Sequence, residues 1–203
     1  MLHLIRHGET ALNVARVLQP AHTPLSQRGR AQARALAERL VALRLSAIIS
    51  SDLPRALQTA EAIAAVCGLP IEASDLLHER NFGDLRGQPY DALGFDPIAA
   101  AQAPPGGESM AEFEARAAQA WQRVLRAHAV AGGAIAVVTH GLVLKAWLRP
   151  GLIDLGGMSL PVHLANTALS SVEARAPHRV HTLACVRHLR GMDGDDARAL
   201  VGG

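Results

Sequence analysis

Apolar positions along the chain alternate between short solid runs and helically spaced sets. Leu2 to Ile5 is a compact apolar run ending in Arg6, His7 and Gly8, so it reads as a buried strand. Ser26 to Leu45 predicts a helix, with Leu36, Leu40 and Leu43 on one face. Ala47 to Ser50 predicts a second strand. Pro54 to Val66 predicts a helix closed by Gly68 and Pro70, and Ile71 to Ala73 a third strand. Ser109 and Glu112 have the spacing of a capping box, in which each side chain satisfies a free backbone N–H at a helix start. The helix it opens carries Phe113, Ala117, Trp121 and Val124 on one face and ends at Gly132-Gly133. Ala134 to Thr139 is the strongest strand pattern in the chain. Leu142 to Leu148 follows as a helix stopped by Pro150 and Gly151, and Leu169 to Glu173 and Val180 to Val186 read as late strands.

Strands alternating with helices predict an α/β fold: a three-layer α/β/α sandwich with a mostly parallel central sheet, helices on both faces and a small cap insertion. Residues 1–190 are expected to form a single domain. The cap falls at about 87–108, where Pro89, Pro97 and Pro104-Pro105 break any regular pattern. The polar, Gly-containing tail at 191–203 is expected to be disordered.

Composition narrows the classes. Of 203 residues, 49% are hydrophobic and 19% charged, enough apolar material for a full core. Twenty basic and 18 acidic residues leave a formal charge of +2, which is no electrostatic footprint for nucleic acid or an anionic membrane. Lys145 is the only lysine; the arginine and alanine bias reads as a GC-rich, bacterial genome. No apolar run reaches membrane-spanning length and the first residues do not form a secretory signal, so a cytoplasmic location is expected. Cys67 and Cys185 read as buried thiols rather than a disulfide.

One local pattern occurs twice. Leu4-Ile5-Arg6-His7-Gly8 and Val137-Val138-Thr139-His140-Gly141 both run from a strand into His-Gly. Ligands of parallel α/β sheets bind outside the carboxyl ends of strands, so two such histidines can meet in one pocket. The strand ending at Ser50-Ser51 delivers Asp52 and Arg55 to the same edge. Two arginines offer planar N–H forks suited to phosphate oxygens, and two histidines offer a nucleophile and a further donor. His178 and His181 would lie on opposite faces of a strand, which argues against a metal site there. The sequence has no Walker-type loop, Gly-x-Ser-x-Gly elbow or His-Glu-x-x-His motif.

Further blocks join these. They are Glu9-Thr10 with Asn13; Pro24-Leu25-Ser26 with Gly29 and Gln32-Ala33; and Ser50 to Ala56 with Gln58-Thr59-Ala60. Then come Leu77, Glu79, Phe82-Gly83 and Gly87; Pro105 to Ser109; and Asn166-Thr167 with Ser170. With them the chain resembles the histidine phosphatase superfamily, in its phosphoglycerate mutase-like branch, from Leu4 to about Ser170. The resemblance implies that His7 attacks phosphorus and becomes phosphohistidine. It implies that Arg6, Arg55 and His140 bind the phosphoryl oxygens, with help from Asn13 and with Gln19 and Gly141 at the substrate. Glu79 would protonate the leaving oxygen and then activate water. Arg80 would help hold the substrate, as in the mutases. No cofactor and no metal are implied; the partner is a small phosphorylated metabolite, and a homodimer is left open.

Departures bear on the substrate. Pro20 and Ala21 replace a glycine and an aromatic residue, His22 stands where aspartate is usual, and Leu12 where tryptophan is frequent. From Gln88 to Ala115 there is no lysine or arginine, where the mutases carry a longer basic insert. A mutase must also shield its phosphorylated intermediate from water. The expectation is therefore a metal-independent phosphatase of small phosphomonoesters. A phosphoglycerate mutase is the alternative, and a non-catalytic phospholigand-binding protein a weaker one.

Overall fold

The structure, a computed structural model, describes residues 1–149 and 151–192. Strands β1 (Leu2–Arg6), β2 (Ala47–Ser50), β3 (Ile71–Ala73), β4 (Ile135–Thr139), β5 (Leu169–Val172) and β6 (Val180–Cys185) form one sheet in the order β3-β2-β4-β1-β5-β6. Neighbours from β3 to β1 pair in parallel; β5 runs against β1, and β6 against β5. The expected α/β architecture with a mostly parallel sheet is the one observed.

Alternation along the strands builds two cores. Leu2, Leu4, Ile49, Ile135 and Val137 face α4 (Met110–Ala131) and α5 (Gly141–Trp147). Ile5, Ile48, Ala136 and Val138 face α2 (Gln27–Val41) and α3 (Pro54–Cys67). Side chains on adjacent strand residues point to opposite faces, so runs of solid apolar sequence are what a sheet covered on both sides requires. Trp121 and Trp147 are both in the first core, and the Trp147 indole N–H donates to the Ala117 carbonyl at 2.8 Å.

Helix boundaries follow their caps. Ser26 Oγ accepts the Gly29 N–H and starts α2 one residue later than expected. Helix α2 also stops earlier, at Val41, because Arg44 turns the chain into β2 with a φ of 47°. The Ser109–Glu112 capping box forms as read, and α4 ends at Gly132. A four-residue helix α1 (Ala11–Val14), too short to leave a pattern, is capped by Thr10. Between β3 and α4 there are only single 3-10 turns, at Asp75–Leu77, Gly83–Leu85 and Tyr90–Ala92.

Two readings change. His178 lies before β6 in a turn with φ 56°, its ring edge-on to Trp121, so the two-face argument for His178 and His181 does not apply. Cys67 and Cys185 are free thiols but only partly buried. Pro150 and the tail beyond residue 192 lie outside the described residues.

Candidate active site

Register brings the two His-Gly segments together. In the parallel β1–β4 pair Arg6 stands beside Thr139, so His7 and His140 leave their strands side by side. The His7 N–H donates to the Thr139 carbonyl at 2.9 Å, and the two imidazole centroids are 5.2 Å apart. The Ser51 N–H donates to the Val138 carbonyl, so β2 ends at the same edge and sets Arg55 in the first turn of α3. Gly8 is required by close approach: a Cβ there would lie 2.6 Å from the Gly29 carbonyl oxygen. Its N–H donates to Thr59 Oγ1, whose hydroxyl donates to the Arg55 carbonyl, tying the His7 loop to the arginine's helix.

The site's protonation follows from burial and hydrogen bonds. His7 Nδ1 donates to the Gly8 carbonyl at 2.7 Å, which leaves Nε2 without a proton. Burial, then Arg55 and Arg6, hold the His7 pKa well below its ordinary value, so the ring is neutral. His140 is neutral for the same first reason; its Nε2 lies 2.9 Å from Ser51 Oγ, and its Nδ1 is buried without a partner. Arg6 and Arg55 are lowered by burial only to about 10, so both keep their charge near neutral pH. Arg6 Nη1 donates to the Leu164 carbonyl, and Arg55 Nε is buried and unpartnered.

Glu79 is buried against these cations. Its Oε1 accepts the Arg80 N–H at 3.0 Å and its Oε2 the Leu142 N–H at 3.1 Å. Burial pushes its pKa up, outweighing the two hydrogen bonds and the arginines. The Thr139 hydroxyl donates to the Leu77 carbonyl, anchoring the turn that carries Glu79 to the β4 end.

The remaining predicted residues divide. Asn13 Oδ1 accepts from the Thr10 N–H and from Asn166 Nδ2, so it is a cap; its own Nδ2 is buried and unpartnered, and can also serve a ligand. Gln19 Oε1 accepts from the Thr10 hydroxyl, and Gly141 opens α5 beside His140. Arg80 is a correction. Its Nε donates to the Glu108 carbonyl, Nη1 to those of Pro97 and Ile98, and Nη2 to those of Ala100 and Gln102. All five N–H groups are committed to the segment after Gly87, and none is left for a substrate. Asp52 turns outward to the His78 ring. Three neighbours escaped sequence reasoning. Ser51 stood within a recognised block without a role. Tyr90, whose phenol burial and then Glu79 push up to about 12, and Arg86 gave no signal in the sequence.

A histidine nitrogen bare of its proton, two charged guanidinium groups and a protonatable carboxyl at one sheet edge form a receptor for a tetrahedral oxyanion. The histidine phosphatase superfamily (branch 1) profile matches residues 2–185, and the chain belongs to that family. A probable phosphoglycerate mutase GpmB of Yersinia pestis is 35% identical over 189 residues, covering 85% of this chain and 84% of the relative. Among solved structures, YhfR of Bacillus stearothermophilus aligns with a TM-score of 0.78 and 33% identity, covering 93% of this chain and 98% of that one. A mycobacterial glucosyl-3-phosphoglycerate phosphatase aligns at 0.70 with 30% identity, covering 85% and 90%. No helix among the described residues is long and apolar enough to cross a membrane.

Proposed function

We propose that the chain is a phosphatase of small phosphomonoesters that passes the phosphoryl group through Nε2 of His7. The observation that carries this reading is the His7 Nδ1–H bond to the Gly8 carbonyl, which presents a bare Nε2 beside two guanidinium groups. Nε2 attacks phosphorus in line as the P–O bond to the alcohol breaks. Arg6, Arg55, the Nδ1 side of His140 and Asn13 Nδ2 take the charge that spreads over the equatorial oxygens. Glu79, whose affinity for its proton burial raises, gives that proton to the departing oxygen. As a carboxylate it then takes a proton from water, which attacks the phosphohistidine and releases inorganic phosphate. No step calls on a metal or cofactor.

Hydrolysis of p-nitrophenyl phosphate with and without EDTA tests this. Turnover that survives EDTA, is lost in His7→Ala and leaves an acid-labile phosphohistidine on the wild-type chain is the expected result. An intact fold with no turnover of any phosphomonoester rejects it. The Yersinia relative named as a probable mutase favours a second reading, interconversion of phosphoglycerates. Release of inorganic phosphate from 3-phosphoglycerate, without 2-phosphoglycerate accumulating, separates the two.

A further inference from the structure

Beside Glu79, on the side where an alcohol leaves, lies a cavity of about 390 Å³ lined by Leu53, Leu76, Glu79, Arg86, Glu108 and Arg116 among others. Two of its charged groups are spent on each other. Arg116 Nε and Nη2 hold the Glu108 carboxylate at 2.7 Å, and its other N–H groups go to the carbonyls of Leu76, His78 and Glu79. Glu108 also accepts the Asn81 N–H. Arg86 differs. Its side chain has no hydrogen-bond or ion-pair partner among the described residues, and its Nε is buried from water. It is close enough to Arg55 for the two charges to repel. The acid whose charge reaches it is Glu108, and that carboxylate is already held by Arg116. A half-buried guanidinium that faces like charge and shares its only nearby acid is costly unless a further anion joins it.

We propose that Arg86 is a specificity-determining residue: it takes a second anionic group, a carboxylate or a phosphate, carried by the alcohol part of the substrate. This rests on the phosphatase reading, which supplies the leaving group and its direction past Glu79. It moves the second anion site from Arg80, whose donors are all used, to a residue six positions on. A planar fork with unspent donors matches either oxyanion.

The test is a ratio. For the carboxylate arm, kcat/KM is measured for 3-phosphoglycerate and for glycerol 3-phosphate, which has a neutral hydroxymethyl group in place of the carboxylate. For the phosphate arm, fructose 1,6-bisphosphate is set against fructose 6-phosphate. Arg86→Ala should lower the anionic-to-neutral ratio about 10- to 100-fold in at least one arm, mainly through KM, as expected for a charged hydrogen bond lost from binding. Arg86→Lys should restore part of it. A ratio that moves less than about twofold in both arms overturns the proposal, as does a ratio that collapses in Lys145→Ala instead. Lys145 is a half-buried cation whose charge interacts with Arg6 and Glu79. If the wild-type chain hydrolyses none of the four esters and no p-nitrophenyl phosphate either, the phosphatase reading fails. Calorimetric titration of 3-phosphoglycerate and fructose 1,6-bisphosphate into wild type and Arg86→Ala then judges Arg86 by itself: a weaker binding of either upholds it, and equal binding of both rejects it.

Discussion

Arg6 and Arg80 are each 1% exposed, yet they belong to different kinds of structure. Arg6 closes β1 and stands at a sheet edge, where ladder bonds on both sides of the strand set its position. Arg80 sits in a stretch without strand or α-helix and gathers five carbonyls from residues 97–108. In the first region the strand backbone is satisfied by the sheet, and Arg6 gives Nη1 to the Leu164 carbonyl beside the proposed phosphoryl site. In the second the backbone has no ladder, and a guanidinium supplies the donors that its carbonyls need. On the proposed function, the same residue type is a ligand at a strand end and a strut in a loop.

That contrast can be broken most severely at the sheet edge. His7→Ala should lower turnover by about 10⁴-fold or more with melting temperature little changed, since a nucleophile has no substitute; residual turnover within tenfold of wild type would place the chemistry elsewhere. Glu79→Gln should cost about 10²- to 10⁴-fold on an alkyl phosphate, and less on p-nitrophenyl phosphate, whose leaving group needs little protonation. In the wild type, alkyl-ester turnover should decline as pH rises through the raised Glu79 pKa, a limb that Glu79→Gln removes.

Arg80→Ala probes the strut. It should destabilise the chain by about 2–4 kcal/mol in urea unfolding, because buried carbonyls lose their partners. The anionic-to-neutral substrate ratio should stay at the wild-type value. A shifted ratio with intact stability would return Arg80 to the substrate.

A smaller effect sharpens the contrast by pH. Burial lowers the pKa of His7 and His140 well below 6.5, and those of His3 and His188 to about 4. The unfolded chain binds protons that these rings refuse, so their neutral burial is fully tolerated above pH 6.5 and stability falls as pH drops toward 4. Thermal melts from pH 7.5 to 5 should show the decline beginning near pH 6.5, with a shallower slope in His188→Gln. A flat profile would mean that these rings are not buried neutral.

Much of this was legible because the sheet is covered on both faces. Solid apolar runs, Ser26, Pro54, Gly68 and the Ser109–Glu112 pair located strands and helix ends to within a few residues. The meeting of His7, His140 and Arg55 followed from strand ends alone. Arg80 was misread because its place after Glu79 carries no information about where a long side chain points. Its acceptors are carbonyls, which every residue has. Arg86 was missed for a related reason: an arginine's importance there depends on which neighbours are already paired, and pairing across residues 76–116 is a property of the folded loop. Asn13 was read as a phosphoryl ligand; its Oδ1 instead accepts the Thr10 N–H as a cap, and its Nδ2 is the amide atom left unpartnered.

β1 lies between β4 and β5, both of which come from the far end of the chain. The Thr167 N–H is shared between the carbonyls of Arg6 and His7, and Asn166 Nδ2 also donates to the His7 carbonyl. During synthesis, the residues of the first strand must wait for most of the polypeptide before either neighbour exists. Contacts this distant in sequence make for slow folding. A nascent chain that stops short of Asn166 carries every side chain assigned to the phosphoryl group and still lacks these bonds to the His7 carbonyl. Activity should thus appear abruptly, and late, as the chain lengthens.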